Sequence, residues 1–136
     1  MAKVAVVYAT TTGNTEALAA AVAEGAKAAG KDVTLTAVDS ADAAAALASD
    51  ELFLGSPAMG SEQLEDSMED FFAGLEGKLG GKKVGLFGSY DWGDGQWLSD
   101  WADRATAAGA VLLGTVKAHL APEEADIEAA KALGGK

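Results

Sequence analysis

The sequence of 136 residues predicts an α/β protein built on a doubly wound parallel sheet with helices on both faces. Apolar segments of strand length alternate with helical patterns five times along the chain. The first apolar segment, Lys3–Tyr8, is uninterrupted, as is typical of a parallel strand buried on both faces. No linker, repeat or change of composition divides the chain, so we expect residues 1–136 to form a single domain.

The apolar segments predict five strands: Lys3–Tyr8, Asp32–Val38, Glu51–Gly55, Lys83–Ser89 and Val111–Ala118. The segments between and after them predict five helices: Asn14–Ala29, Asp42–Ala48, Glu65–Leu75, Trp97–Ala108 and a last helix that begins at Pro122.

The helical predictions depend on side-chain spacing and on end residues. In the first helix Leu18, Val22 and Ala26 share one face, and Gly30 supplies a stop. In the fourth helix Trp97 and Trp101 stand four residues apart and are expected in the core. Proline is favoured at the first helical position, and the acidic residues Glu123 and Glu124 would complement the dipole of the last helix.

Composition excludes several classes of protein. The formal net charge of −11 opposes binding to nucleic acid or anionic lipid and favours partners with basic surfaces. The chain has no cysteine, which excludes disulfides and cysteine-held iron–sulfur or zinc sites. No apolar stretch is long enough to cross a bilayer and no signal-peptide pattern is present, so we expect a cytoplasmic protein.

The loop after the first strand has the composition of an anion site. It combines threonine hydroxyls with a glycine and a helix N-terminus, in the order Thr10, Thr11, Thr12, Gly13, Asn14, Thr15. No lysine or arginine occurs between Lys3 and Lys27, so the loop is not an NTP-binding P-loop. Threonine and asparagine also cap helices in proteins that bind nothing, and this second interpretation stays open.

Two further loops follow the third and fourth strands, where open α/β sheets bind ligands. The second places Met59 on a polar turn next to Gly60, whose peptide could adopt two orientations, and Glu62 follows as an acceptor for ring N–H groups. Taken without the other loops, this segment would favour a plain surface turn with one buried methionine. The third contains Tyr90 and Trp92 in a glycine-rich segment, which favours stacking of a flat ligand over burial in the core. Gly93-Asp94-Gly95 begins like a dinucleotide fingerprint, but Leu98 replaces its third glycine.

Three motifs, in order, resemble those of the short-chain flavodoxins of anaerobic bacteria. They are the Thr-x-Thr-Gly-Asn-Thr loop at Thr10–Thr15, PAMGSEQLED at Pro57–Asp66 and GLFGSYDWGDGQW at Gly85–Trp97. The resemblance covers almost the whole chain and implies a flavodoxin-like sheet of strand order 2-1-3-4-5. It also implies non-covalently bound FMN and an electron carrier without substrate turnover.

The resemblance assigns a role to each matching loop. The first loop would hold the FMN phosphate, with Met59 on the inner face of the ring and Trp92 on the outer face. The Gly60 peptide would turn on one-electron reduction to accept from flavin N5–H, and Glu62 would bond N3–H. The cofactor-binding set is Thr10, Thr11, Thr12, Gly13, Asn14, Thr15, Ser56, Pro57, Ala58, Met59, Gly60, Ser61, Glu62, Ser89, Tyr90, Asp91, Trp92 and Gly93.

The implied function is one-electron transfer at low potential, between the semiquinone and hydroquinone states. Acidic residues around the ring would oppose the negative charge of the fully reduced flavin, and these are Glu62, Glu65, Asp66, Asp91 and Asp94. The partners would be reductases and low-potential oxidoreductases with basic docking surfaces, and the chain would act as a monomer. Asp91 stands where close relatives usually have glycine, which predicts that Asp91→Gly raises the hydroquinone potential or tightens FMN binding. It also predicts strain if the backbone there needs a positive φ.

Two alternative functions fit the same residues less well. An FMN-dependent NAD(P)H oxidoreductase needs room over the ring, whereas Met59 and Trp92 would cover both faces. A signalling receiver domain needs an acidic cluster, but the first strand ends in Tyr8-Ala9-Thr10. The single histidine, His119, follows the fifth strand and is expected to be a surface or strand-end residue rather than a ligand.

Overall fold

A parallel sheet forms the centre of the computed structural model, which describes residues 2–10, 13–59, 63–91 and 93–136. In chain order the strands are β1 (Lys3–Tyr8), β2 (Asp32–Ala37), β3 (Glu51–Gly55), β4 (Ala58–Met59), β5 (Gln63–Leu64), β6 (Lys83–Tyr90) and β7 (Val111–His119). The five long strands pair in parallel in the order β2-β1-β3-β6-β7. Counting only these five, the order is 2-1-3-4-5, which confirms the predicted fold.

Helices cover both faces of the sheet. They are α1 (Asn14–Ala28), α2 (Ala43–Leu47), α3 (Asp66–Leu75), α4 (Gln96–Ala107) and α5 (Glu124–Gly134). One core lies between the sheet and α1 with α5, and it includes Leu18, Phe53 and Leu133. The other lies between the sheet and α2, α3 and α4, and it includes Phe72 and Trp101.

The burial of the strands follows their position in the sheet. Every residue of β3 is buried, as are the interior residues of β1 and β6, because these strands have neighbours on both sides and helices on both faces. The outer strands β2 and β7 are mostly exposed. Because β1, β3 and β6 are parallel neighbours, their carboxyl ends meet at one edge of the sheet, next to this buried core.

The close packing of α1 against α5 depends on two glycines. A Cβ at Gly25 would collide with the backbone carbonyl of Lys131, and a Cβ at Gly134 would collide with the backbone carbonyl of Val22. Only glycine allows the two backbones to approach so closely at these positions. The predicted helix face is confirmed, since Leu18, Val22 and Ala26 are all buried.

Most predicted element boundaries differ from the observed ones by one or two residues, and two of these differences have a clear structural cause. The last helix begins at Glu124, not at Pro122, because Glu123 is its N-cap and forms a reciprocal capping box with Asp126. Tyr90 belongs to β6 and not to the following loop, because it pairs in register with His119 of β7.

The segment after β3 was predicted as a loop, and the structure places a short hairpin there. Strands β4 and β5 pair in an antiparallel manner, with Ala58 opposite Leu64 and Met59 opposite Gln63. Two-residue strands are too short to give a periodic pattern, so the sequence carried no indication of them. Across the four described ranges, no helix is both long and apolar enough to cross a bilayer.

Candidate functional site

Three hydrogen bonds join the three predicted loops at the carboxyl edge of the sheet. The Ala9 amide donates to the Gly55 carbonyl over 2.9 Å, which links the first loop to the second. The Ser56 amide donates to the Phe87 carbonyl over 3.1 Å, which links the second loop to the end of β6. The Thr15 hydroxyl lies 3.0 Å from the Ser89 hydroxyl in a buried contact, which links the third loop to the first. The loops therefore form one connected surface.

The first loop presents the N-terminus of α1 without a side-chain cap. Gly13 is the N-cap residue and has a φ of 90°, a left-handed conformation that favours glycine. Thr10 does not cap the helix, because its hydroxyl accepts from the Gly13 amide over 3.0 Å. The first amides of α1 have no intrahelical partner and receive no described cap, so they can donate to an anion. Thr11 and Thr12 lie outside the described residues.

Tyr8 supports the start of α1 from the end of β1. Its hydroxyl donates to a carboxylate oxygen of Glu16 over 3.0 Å. Burial raises the pKa of Tyr8 above its ordinary value of 10.0, and the hydrogen bond to Glu16 and the charge of Glu16 raise it further. The phenol therefore stays protonated at neutral pH and remains a donor to the first turn.

The second loop is held by Ser56, which is fully buried. Its hydroxyl donates to the Pro57 carbonyl over 2.9 Å and accepts from the Glu65 amide over 3.0 Å, so it closes the base of the hairpin. Pro57 is buried and Ala58 is half-buried. The hairpin raises Met59 to its tip, where 39% of the residue is exposed. Gly60, Ser61 and Glu62 lie outside the described residues.

Met59 is an exposed apolar side chain on a hairpin whose base is held by hydrogen bonds. Methionine is flexible and polarizable, and it makes favourable contacts with aromatic rings. Met59 therefore offers an apolar surface to a flat ligand at the same edge as the open amides of α1.

Glu65 has a structural role that the sequence did not indicate. Its carboxylate accepts from the Ser67 amide at 3.0 Å and from the Met68 amide at 3.3 Å, and so caps α3. The same carboxylate accepts from the Ser67 hydroxyl over 3.0 Å. Glu65 therefore serves the start of α3, whereas Asp66, Asp91 and Asp94 are exposed.

The third loop leaves β6 through a point of close backbone contact. A Cβ at Gly88 would collide with the backbone carbonyl of Ser56, so only glycine fits there. Ser89 is buried, and Tyr90 is half-buried with its ring 5.6 Å from that of Trp97. Tyr90 therefore packs on the core, contrary to the prediction, while Trp97 and Trp101 are core residues as predicted.

The turn itself uses glycine where the backbone has a positive φ. Gly93 and Gly95 have φ values of 87° and 91°, and Gly95 is the N-cap of α4. Asp91 is exposed and does not have a positive φ, so the strain anticipated at this position is not found. Trp92 lies outside the described residues.

The sequence missed one contact to this loop. His119 is an exposed strand-end residue, as predicted, but its Nε2 lies 2.7 Å from the Asp91 carbonyl oxygen. The register of β6 against β7, which places His119 beside Tyr90, was the information needed to find it.

The described site has the chemistry to hold a large, flat anion. Backbone amides and hydroxyls near Gly13 suit a phosphate, and the exposed Met59 suits an aromatic ring. Within the described ranges, no cluster of three or more histidine, aspartate or glutamate side chains could bind a metal ion. The arrangement thus matches a phosphorylated aromatic cofactor.

Comparisons by family model, by sequence and by structure all match this chain to the same family of proteins. The family model for flavodoxin matches residues 6–134. The chain is 46% identical over 123 residues to a flavodoxin of Megasphaera elsdenii, covering 90% of each chain. It is 44% identical over 111 residues to a flavodoxin of Clostridium beijerinckii, covering 81% of this chain and 80% of that protein. The solution structure of two-electron reduced Megasphaera elsdenii flavodoxin superimposes with a TM-score of 0.89 and 44% identity, covering 97% of this chain and 96% of that one.

Proposed function

The chain belongs to the flavodoxin family of FMN-binding electron carriers, which have no substrate turnover of their own, and from this we propose that it is a low-potential, single-domain carrier whose FMN lies across the three loops. The observation that carries the proposal is the joining of these loops at one edge of the sheet by three hydrogen bonds. Two of those loops present the open amides of the first turn of α1, after Gly13, and an exposed apolar side chain at Met59.

The first loop holds the phosphate in this proposal. The donors are the amides at the start of α1 and the hydroxyls of Thr10 and Thr15. Thr11 and Thr12 belong to the same proposed set. Because this stretch has no lysine or arginine, the phosphate is held by dipoles and hydroxyls. Tyr8 and Ser89 keep this loop in place through Glu16 and Thr15.

The ring lies between the second and third loops in this proposal. Met59 contacts one face and Trp92 the other, so that both residues exclude water and a nicotinamide from the ring. When bound, FMN supplies the one-electron redox chemistry. The remaining residues of the predicted set keep the roles proposed from the sequence: Gly13, Asn14, Ser56, Pro57, Ala58, Gly60, Ser61, Glu62, Ser89, Tyr90, Asp91 and Gly93.

The low potential follows from charge. Asp66, Asp91 and Asp94 are exposed around the predicted ring position, and the whole chain carries a formal net charge of −11. Negative charge disfavours the addition of a further electron to a bound anion. The carrier works with redox partner proteins. We propose that it acts as a monomer and that its partners present basic docking surfaces to it.

The experiment removes the bound cofactor, adds FMN back and titrates the complex with a one-electron reductant. We expect tight stoichiometric uptake, two separated one-electron steps and negligible NAD(P)H oxidation. Met59→Ala and Trp92→Ala should each weaken FMN binding by about tenfold or more, because each removes one covering face. Rapid NAD(P)H oxidation would favour the oxidoreductase alternative, and failure to take up FMN would overturn the proposal.

A further inference from the structure

The end of β7 carries a histidine that is bonded to the third loop. His119 pairs in register with Tyr90 of β6, and their rings lie 5.1 Å apart at 49°. The Nε2 of His119 is 2.7 Å from the Asp91 carbonyl oxygen. A carbonyl oxygen can only accept a hydrogen bond, so Nε2 carries the proton and donates. The contact thus fixes the tautomer of His119 when the imidazole is neutral.

Lys117 makes a second contact from the same face of β7. Its Nζ donates to the Asp94 carbonyl over 2.9 Å and lies 5.9 Å from the centre of the Tyr90 ring. The two side chains therefore hold the carbonyls at both ends of the segment from Asp91 to Asp94. This segment contains Trp92 and Gly93, two residues of the predicted cofactor site.

The backbone at Leu120 adds a third contact, and it does so under strain. The Leu120 amide donates to the Tyr90 carbonyl over 2.7 Å. Leu120 is also the one non-glycine residue in the described ranges with a positive φ, at 61°. Leucine rarely adopts this conformation, so the surrounding contacts fix the chain at this point.

From these contacts we propose that His119 is a positioning residue: with Lys117, it holds the backbone at Asp91 and Asp94, on either side of Trp92 in sequence, in the position that FMN binding requires before FMN arrives. The proposal rests on the assignment of the third loop to FMN given above. An ordered loop loses less conformational entropy when the ligand binds, so the ligand binds more tightly. His119 itself needs no contact with the cofactor.

The test compares variants of the full chain with and without FMN. His119→Ala removes both the donor and the ring, whereas His119→Gln keeps an N–H donor. Thr115→Ala is the matched control, because Thr115 is exposed on the same face of β7 and four residues away. Amide hydrogen exchange is measured in the FMN-free protein at Asp91, Gly93 and Asp94, and the FMN dissociation constant is measured separately.

The expected result is specific to the loop. His119→Ala should speed exchange at these amides about tenfold and weaken FMN binding about five- to tenfold, as for the loss of one hydrogen bond and one ring contact. His119→Gln should recover most of both effects, and Thr115→Ala should change neither.

Two outcomes would overturn the proposal. In the first, His119→Ala matches Thr115→Ala in both measurements. In the second, exchange in His119→Ala rises equally throughout β6 and β7 and His119→Gln recovers nothing, which shows a general effect on stability. If the wild-type chain takes up no FMN, the proposed function fails, yet exchange in the FMN-free protein still decides whether His119 orders the loop.

Discussion

The hydroxyl of Thr15, in the first turn of α1, lies 3.0 Å from the hydroxyl of Ser89, near the end of β6 and 74 positions later. Both residues are buried, at 1% and 5% exposed. A buried hydroxyl that loses its partner is costly, so each side chain requires the other. The pair therefore fixes the start of α1 relative to the third loop.

We predict that the two hydroxyls are energetically coupled. Thr15→Val keeps the volume of the side chain, and Ser89→Ala removes only the oxygen. Each single change should lower the free energy of unfolding by about 1–3 kcal/mol, because it leaves one buried hydroxyl unpaired. The double variant should lose less than the sum of the two, with a coupling energy of about 1 kcal/mol.

Denaturant unfolding of the FMN-free protein measures this coupling, and FMN titration of the same four proteins reports on the loops. Strict additivity of the two single changes would show that the pair does not act as a unit.

An added Cβ should have opposite effects on the free energy of unfolding at two glycines, one in the contact between α1 and α5 and one on the surface of α3. Gly25→Ala should destabilise the fold by about 1–3 kcal/mol, because the added Cβ meets the Lys131 backbone carbonyl and the helices must separate. Gly74→Ala, in α3, should stabilise it by about 0.5–1 kcal/mol, because a Cβ there meets open space and alanine favours a helix. Thermal unfolding separates the two cases, and equal effects would contradict the packing described for Gly25.

The ion pairs of Arg104 predict a pH-dependent contribution to stability. Its Nη1 and Nη2 donate to the two Glu69 carboxylate oxygens at 2.7 and 2.9 Å, and Nη2 also donates to Glu76 at 2.8 Å. The hydrogen bonds from Arg104 hold the pKa of Glu69 below its ordinary value of 4.5, burial opposes this, and the charge of Arg104 adds to it. The bonds to Glu69 and Glu76 raise the pKa of Arg104 in turn.

A carboxyl group whose pKa is lower in the folded chain stabilises the fold above its unfolded pKa, and this contribution disappears as the pH falls through the folded pKa. Glu69→Gln should therefore lower the free energy of unfolding by about 0.5–1 kcal/mol near pH 7, a small value because both side chains are partly exposed. The difference should shrink as the pH falls below 4.5, the ordinary pKa of the carboxyl group. Asp70→Asn, an exposed change on the same helix, is the control. A difference that grew in acid would contradict the assigned direction.

The charge of Asp91 predicts an effect on the potential of bound FMN. Asp91→Asn and Asp91→Gly both remove one negative charge from the third loop, so the second one-electron potential should rise by about 10–30 mV. The two variants should agree, because the backbone at Asp91 does not have the positive φ that would make glycine special. Asp32→Asn, at the opposite edge of the sheet, should leave the potential unchanged. Unchanged potentials in both Asp91 variants would contradict the electrostatic argument.

The sequence was sufficient to predict the sheet because its central strands are buried on both faces. Lys3–Tyr8 and Glu51–Gly55 have the same bounds in the structure as in the prediction, since uninterrupted apolar runs leave little freedom in placing a strand. Helix ends were predicted less accurately than these strands, because side-chain capping decides where a helix begins. Pro122 is compatible with a first helical position, but the capping box of Glu123 with Asp126 decides where α5 begins.

The candidate site was predictable where local chemistry defines it and not where tertiary contacts do. Gly13 and Met59 could be singled out from their neighbours in sequence. Three contacts depend on residues that are apart in sequence or on the register of two strands. They are the hydrogen bond from the Glu65 amide to buried Ser56, the packing of Tyr90 on Trp97 and the bond from His119 to Asp91. No pattern within one segment contains that information.

The left-handed backbone at Leu120 has a consequence for engineering this protein. Position 120 is 46% exposed, so the side chain there fills no cavity in the core. Asparagine tolerates a φ of 61° better than leucine and would still present the amide that Tyr90 requires. Relief of such strain is worth on the order of 1 kcal/mol. A designer who seeks a more heat-resistant electron carrier could therefore begin at the rim of the site, without repacking the interior.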